Sequence, residues 1–352
     1  MRKFAVFSGF LGAGKTTTMM TLTDWHSAHR GAAAMISNDL GGPGLADNKF
    51  AQLSGCNASE LTTECICYQR PNLLARLNEL FESGCELAIS DIPGFGIGAL
   101  DHVYHGLTAD YPGQVDLAPF TVLTEPRTVE LLRSGCDPDL RYLLDCQLLE
   151  ADLIVLNKCD LLTEAQRTAD AEYLKTCYPE AEVLCISART GEGVEALSDA
   201  LMEGKASMRA PDLGYGGAQF MRSMGRMSEY YIQYRAVVCC ETFDGSAYLT
   251  ALAERVRADV AAAGHEIPHL KLLAWTPEGD FGKADLLGTA RDIELTRPFA
   301  GPCTDIAVAL NASGDCPSKL LDTIVTGAAE AASRDYQLEM TVFKKECFGM
   351  GG

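Results

Sequence analysis

The most specific chemical signature in this chain lies close to its N-terminus. Gly9-Phe10-Leu11-Gly12-Ala13-Gly14-Lys15-Thr16 matches GxxxxGK[ST]. The glycines let backbone N–H groups close around phosphate oxygens, and a helix starting at Lys15 adds a positive field. Gly9, Gly12, Ala13, Gly14, Lys15, Thr16 and Thr17 are therefore the expected phosphate-binding set. Lys15 would reach the β- and γ-phosphates, while the Thr16 hydroxyl would ligate Mg²⁺. Asp91-Ile92-Pro93-Gly94 follows an apolar run. There Asp91 suits the same Mg²⁺, usually through water, and the Gly94 N–H suits the γ-phosphate.

Asn157-Lys158-Cys159-Asp160 ends another apolar run and points to the base. A carboxylate accepts hydrogen bonds from guanine N1–H and its exocyclic amine, neither of which adenine presents. Asp160 is thus the expected guanine reader. Asn157 would brace loop and base, and the Lys158 stem would pack on the ring. In Ser187-Ala188-Arg189 the Ala188 N–H would meet guanine O6. The implied ligands are GTP and GDP with Mg²⁺, and the implied reaction is GTP + H₂O → GDP + phosphate. Segments 37–46 and 91–100 read as switches, with Asp39 the candidate that couples the first to Mg²⁺ or water. No residue declares itself a base and no arginine a finger, so slow intrinsic turnover is expected.

Cys65-Ile66-Cys67 is a separate signal. Two thiolates in a loop can hold one soft ion, but tetrahedral Zn²⁺ wants further ligands. Cys56, Glu60, Glu64, His102, His105 or a second subunit could complete such a site. The bland reading is a reduced, partly buried thiol pair. His265 and His269 read as solvent-facing or core histidines, and the adjacent Cys239 and Cys240 would point to opposite faces of a strand.

These residues need strands and helices to position them. Strands are predicted at 4–8, 32–37, 87–91, 120–124, 153–157 and 182–187, alternating with helices at 15–30, 71–83, 126–133, 142–150, 164–177 and 193–202. Apolar runs without clean alternation imply a mostly parallel α/β sheet with helices on both faces. That domain spans 1–203. A Gly- and Met-containing linker covers 204–228, a smaller α+β domain close to a split βαβ plan covers 229–346, and 347–352 reads as a flexible tail.

Composition narrows the function further. The 352 residues carry 29 basic and 48 acidic side chains, a net charge of −19, which opposes non-specific attachment to nucleic acid. No apolar run reaches the roughly 18 residues of a membrane span, so no stable membrane insertion is expected. The 14 cysteines are too dispersed for a disulfide scaffold, and a cytoplasmic location follows as an expectation.

Together, GFLGAGKTT, NDLGGPG, ECICYQRPNLLARL, NKCDLL and SARTGEGVEAL resemble the CobW-like P-loop GTPases, one branch of a wider family of metal-handling GTPases. The likeness covers residues 1 to about 203, and the C-terminal part matches in size and strand order. The resemblance implies GTP-dependent delivery or insertion of zinc, cobalt or nickel, with Zn²⁺ or Co²⁺ at Cys65 and Cys67, and a client metalloprotein or a second copy in a homodimer as partner. Two departures stand out. Where the branch carries GCxCC, this chain has Glu64-Cys65-Ile66-Cys67-Tyr68, and Asp91 stands where glutamate is usual. Loss of the third cysteine supports an alternative, a GTPase serving a corrinoid protein or methyltransferase system without its own metal cargo. A small-molecule kinase and a nucleotide-binding scaffold without hydrolysis complete the readings.

Overall fold

The computed structural model describes residues 2–39, 46–62, 65–238 and 241–349, and of Asp39, Asn48 and Thr62 the backbone only. Glu64, Cys239, Cys240 and most of the expected first switch lie outside these residues. Two compact units are present, one of residues 1–43 and 54–223, the other of 44–53 and 224–352.

In chain order the first stretch runs β1 (Lys3–Ser8), α1 (Lys15–His29), β2 (Ala33–Asp39), α2 (Ala46–Leu53), β3 (Ala58–Thr62), α3 (Arg70–Glu82) and β4 (Leu87–Asp91). A π-helical turn, Leu100–His105, leads into α4 (Gly106–Asp110), β5 (Thr121–Thr124), α5 (Pro126–Ser134), α6 (Pro138–Glu150) and β6 (Leu153–Leu156). Then come α7 (Glu164–Cys177), β7 (Glu182–Cys185), α8 (Val194–Glu203) and α9 (Ala218–Gly225). All strand pairs of this unit are parallel, in the order β3-β2-β4-β1-β5-β6-β7. Every residue of β1, β5 and β6 is buried, which demands helical cover on both faces. The chain leaves β1 toward β2 on one side and later reaches β5 on the other. The crevice at the C-terminal ends of β1 and β4 is therefore the topological switch point where α/β sheets bind ligands. Local signals start the helices as their chemistry requires. Pro126 and Pro138 sit at helix starts, Asp137 accepts from Asp139 N and Leu140 N, and Thr163 with Gln166 forms a capping box.

The second unit contains β8 (Ser228–Val238), α10 (Gly245–Ala262), β9 (His269–Trp275), β10 (Phe281–Leu286), β11 (Glu294–Arg297), β12 (Asp305–Gly314), α11 (Ser318–Asp335) and β13 (Leu338–Gly349). Its sheet has the order β11-β10-β9-β12-β8-β13 with antiparallel neighbours throughout. Consequently β8 and β9 run parallel around β12, and β12 and β13 run parallel around β8. Two interlocked split βαβ units result, extended by the β10–β11 hairpin. Period two sorts the side chains: Leu270, Leu272 and Ala274 join the core with α10 and α11, while Leu273 and Trp275 face the other way.

That other face is covered by α2. Ala46, Phe50 and Leu53 pack with Leu273, Trp275, Phe281 and Ala309, and Lys271 pairs with Asp47 in the first turn of the helix. Burial pushes the Asp47 carboxyl up, but the Lys271 ammonium outweighs it and holds the group at about 2. Residues 44–53 thus lie within the first domain's sequence range and pack with the second unit. At the other terminus, Cys347 does not begin a frayed tail. It pairs with Tyr230 across the β13–β8 ladder, and its thiol donates to Ser318 O at 3.0 Å.

Candidate functional site

The loop after β1 owes its path to glycine. Gly9 has φ 131°, and a Cβ there would lie 2.2 Å from the Leu123 carbonyl oxygen of β5. Gly14 has φ 92°, and a Cβ there would lie 2.4 Å from Asn157 Nδ2. Neither position admits a side chain. Gly12 is also left-handed, Ala13 is buried, and Lys15 curls back so that its ammonium donates to Gly9 O at 2.7 Å. No acidic residue occupies the first turn of α1, so its N-terminus keeps the positive end of its dipole unopposed from within that turn. Thr16 is half-buried and Thr17 exposed at that turn.

Asp91 closes β4 and accepts the Asn38 N–H on Oδ1 at 3.2 Å. Three residues on, a Cβ on Gly94 would meet Leu11 Cδ2 at 2.5 Å, so the DxPG turn lies directly against the glycine loop. The segment 95–100, part of the expected second switch, is bonded to α6. Gln147 Nε2 donates to Gly94 O at 3.1 Å and Gly96 O at 3.0 Å, and Glu150 accepts from Gly98 N at 2.8 Å and Leu100 N at 2.9 Å. Burial raises the Glu150 carboxyl to about 7 despite those two donors. Gln147 and Glu150 escaped the sequence reading, although a polar pair at i, i+3 within Leu143–Glu150 was a visible signal.

At the other end, Asn157 ties three loops. Its Nδ2 donates to Ala13 O at 2.9 Å and its Oδ1 accepts the Ala188 N–H at 3.0 Å. Lys158 adopts a left-handed backbone, φ 62°, a conformation costly for any residue with a Cβ and tolerated where surroundings enforce it. Its ammonium is 2.5 Å from Glu125, the residue before α5, which the sequence reading had not singled out. Asp160 lies on the following 3₁₀ turn, where Ser187 donates to Oδ1 at 2.6 Å and Arg189 pairs with Oδ2. Burial raises its carboxyl, but these two donors outweigh burial and keep it below the usual carboxylate range.

Cys65 and Cys67 face each other with sulfurs 2.7 Å apart, closed by a turn in which Tyr68 N donates to Cys65 O. The Cys67 thiol hydrogen-bonds Cys65 and lowers its pKa against the effect of burial, while Cys67 itself is raised. Asn38 Oδ1 accepts the N–H of Ile66, between the two cysteines, at 2.9 Å. Arg70 donates from Nη1 to Cys67 O at 2.9 Å and His102 O at 3.3 Å, and from Nε to Asp110 at 2.7 Å. Tyr68, which stands where the third cysteine would be, is 65% exposed, with its ring centroid 6.2 Å from that of His102. Of the other suggested ligands, Glu64 lies outside the described residues and the His102 ring packs beside Tyr68 and Tyr215. Cys56 is buried, and burial together with the nearby Asp24 pushes its thiol up, His105 contacts Asp101 and Met208 O, and Glu60 lies in β3. Among the described residues no three His, Cys, Asp or Glu side chains gather as a metal site would require.

The glycine loop, the DxPG turn against it and the NKxD loop braced to it form one connected site. The family profile described as CobW/HypB/UreG, nucleotide-binding domain, matches residues 3–185. The chain belongs to the CobW/HypB/UreG family. The zinc chaperone YeiR of Escherichia coli is 29% identical over 171 residues, covering 48% of this chain and 50% of YeiR. The small ribosomal subunit biogenesis GTPase RsgA of Sodalis glossinidius is 39% identical over 87 residues, 24% of this chain and 25% of RsgA. The chain thus spans half or less of the length of these curated relatives. HypB from Helicobacter pylori, solved with nickel, aligns at TM-score 0.40 and 18% identity over 57% of this chain and 85% of HypB. Among the described residues, no helix of this CobW/HypB/UreG member is long and apolar enough to cross a membrane.

Proposed function

We propose that this chain is a Mg²⁺-dependent GTPase with slow intrinsic turnover, whose nucleotide state governs a soft-metal cargo at Cys65 and Cys67. The reading is carried by Asn157, whose one side chain bonds both the glycine loop and the Ala188 N–H beside Asp160. A single nucleotide can then span from the loop amides to the carboxylate. Guanine N1–H and its amine go to Asp160, O6 to the Ala188 N–H, and the Lys158 stem lies on the ring with its ammonium anchored by Glu125. Lys15 leaves Gly9 O for the β/γ-phosphates, and the α1 N-terminus supplies N–H groups to them. The donor set of Thr16 and Asp91 is hard oxygen, which fits Mg²⁺; the ion when bound neutralises charge developing on the transferring phosphate. Asp39 remains the proposed link from the first switch, and the Gly94 N–H, close to Leu11, is the proposed γ-phosphate donor.

The cargo half rests on the soft pair of thiols and on the family, one of whose members is named a zinc chaperone. With two thiols alone, the remaining ligands of Zn²⁺ or Co²⁺ come from a client metalloprotein or a second copy of the chain. That same shortage favours the second reading, a GTPase regulator of a corrinoid-dependent protein without cargo of its own. Phosphate release from GTP and ATP, with and without Zn²⁺ or Co²⁺, on wild type and C65A/C67A decides between them. Metal-dependent turnover that the double variant loses supports the cargo reading. Identical turnover in both proteins transfers support to the regulator, and equal use of ATP would remove the guanine assignment.

A further inference from the structure

Among the described residues, and beside the core packing of Ile66 and Cys67, two side chains bond the Cys65–Cys67 turn, Asn38 from 28 positions earlier and Arg70 from three positions on, and each leads to a different phosphate-side segment. On one side, the Asn38 main-chain N–H is bonded to Asp91, while the Asn38 side chain accepts from the amide between the cysteines and donates to Leu61 O at 3.4 Å. Asn38 is 3% exposed, so water does not substitute for these partners at no cost. On the other side, Arg70 joins Cys67 O to His102 O in the π-helical turn, which continues directly from the segment that Gln147 and Glu150 hold. Gly106 leaves the space this guanidinium needs, since a Cβ there would sit 2.9 Å from Arg70 Cδ.

We infer that Asn38 and Arg70 are the positioning residues that transmit nucleotide state to the thiol pair, Asn38 from the Asp91 side and Arg70 from the segment after Gly94. The inference rests on the proposed nucleotide-gated reading and names the two bonds through which the gate acts. A shift of the Asp91 carboxylate moves the N–H of Asn38 and, through the same residue's amide oxygen, the backbone between the sulfurs. A shift of 94–100 moves His102 O and, through Arg70, the carbonyl of Cys67. Neither side chain needs to touch nucleotide or metal.

The test uses the full chain loaded with GDP or a non-hydrolysed GTP analogue. One readout is the iodoacetamide alkylation rate of the peptide carrying both cysteines, followed by mass spectrometry. A second is Co²⁺ affinity from thiolate-to-cobalt absorption. In wild type the two nucleotide states should differ by at least about fivefold in alkylation rate. In N38A and in R70A that ratio should fall to within about twofold of unity while GTP still binds. Should N38A fail to fold, G106A poses the question from the Arg70 side with Asn38 intact. Equal rates in both states of wild type, or folded variants that keep the wild-type ratio, would overturn the inference. A collapsing alkylation ratio without any Co²⁺ absorption would leave the inference standing and remove the cargo reading instead.

Discussion

Around Asn157, one amide locks the glycine loop to the loop after β7, Ser187 and Arg189 hold both oxygens of Asp160, and Glu125 fixes Lys158. Around Cys65 and Cys67, among the described residues, the turn is bonded by Asn38 on one side and Arg70 on the other, with Ile66 and Cys67 packed in the core. The first region suits reading an identity, because a mispaired guanine group meets donors and acceptors that cannot rearrange. The second suits reading a state, since a tether passes on the displacement of whatever it is tied to. On the proposed reading one chain would combine a selector of the base with a reporter of the phosphate side, and variants in each region test the two roles separately.

The most severe separation should come from K15A, which removes the cation expected on the triphosphate. Affinity for GTP and ATP alike should fall about 100-fold or more, measured by calorimetry, with Co²⁺ absorption preserved in the GDP-loaded protein. D160N should weaken GTP about 10- to 100-fold and relax the choice of base, since an amide cannot accept from both guanine donors. Unaltered guanine preference in D160N would break the selector half of the contrast.

Smaller effects sharpen it. Glu150 carries a carboxyl raised to about 7, above its unfolded value, so its neutral form is favoured by folding. Its contribution is complete at low pH and fades as pH rises through about 7. Relative to E150Q, wild type should lose roughly 2–3 kcal/mol of unfolding free energy between about pH 4.5 and 7.5, read by denaturant titration. Asp47 has the opposite sign. Its carboxyl is held at about 2, so its pairing with Lys271 stabilises above the unfolded value and is lost as pH falls. D47N should cost about 2 kcal/mol at neutral pH, an effect that vanishes in acid. Least of all, C65A/C67A should abolish Co²⁺ absorption and, with no metal present, change GTP affinity by less than about twofold, since neither thiol belongs to the expected nucleotide-binding set.

What was legible in the sequence follows the same division. The glycine loop, Asp91, Asn157 and Asp160 are recognisable because their jobs demand fixed residue types at fixed spacing, and the strands carrying them are short, buried, mostly apolar runs. Asn38 and Arg70, inside NDLGGPG and ECICYQRPNLLARL, and Gln147 and Glu150, a polar pair at i, i+3, were not singled out because the bonds to Ile66 N, His102 O and the backbone of 94–100 that give them a role join positions far apart in the chain. β3, Ala58–Thr62, is a short strand at the sheet edge with little apolar content. β10, Phe281–Leu286, hid behind Lys283 and Asp285, charged residues that are buried because they pair with each other. α2 was overlooked because its apolar residues answer to a sheet whose strands come more than 200 positions later in the sequence.

That helix bears on how relatives can be recombined. A graft made at the obvious seam near residue 204 would separate Ala46, Phe50 and Leu53 from Leu273, Phe281 and Ala309, and Asp47 from Lys271. The recipient sheet would inherit a bare apolar face and a half-buried ammonium without its counterion. An exchange that behaves well has to carry residues 44–53 along with the C-terminal half, as a two-piece cassette.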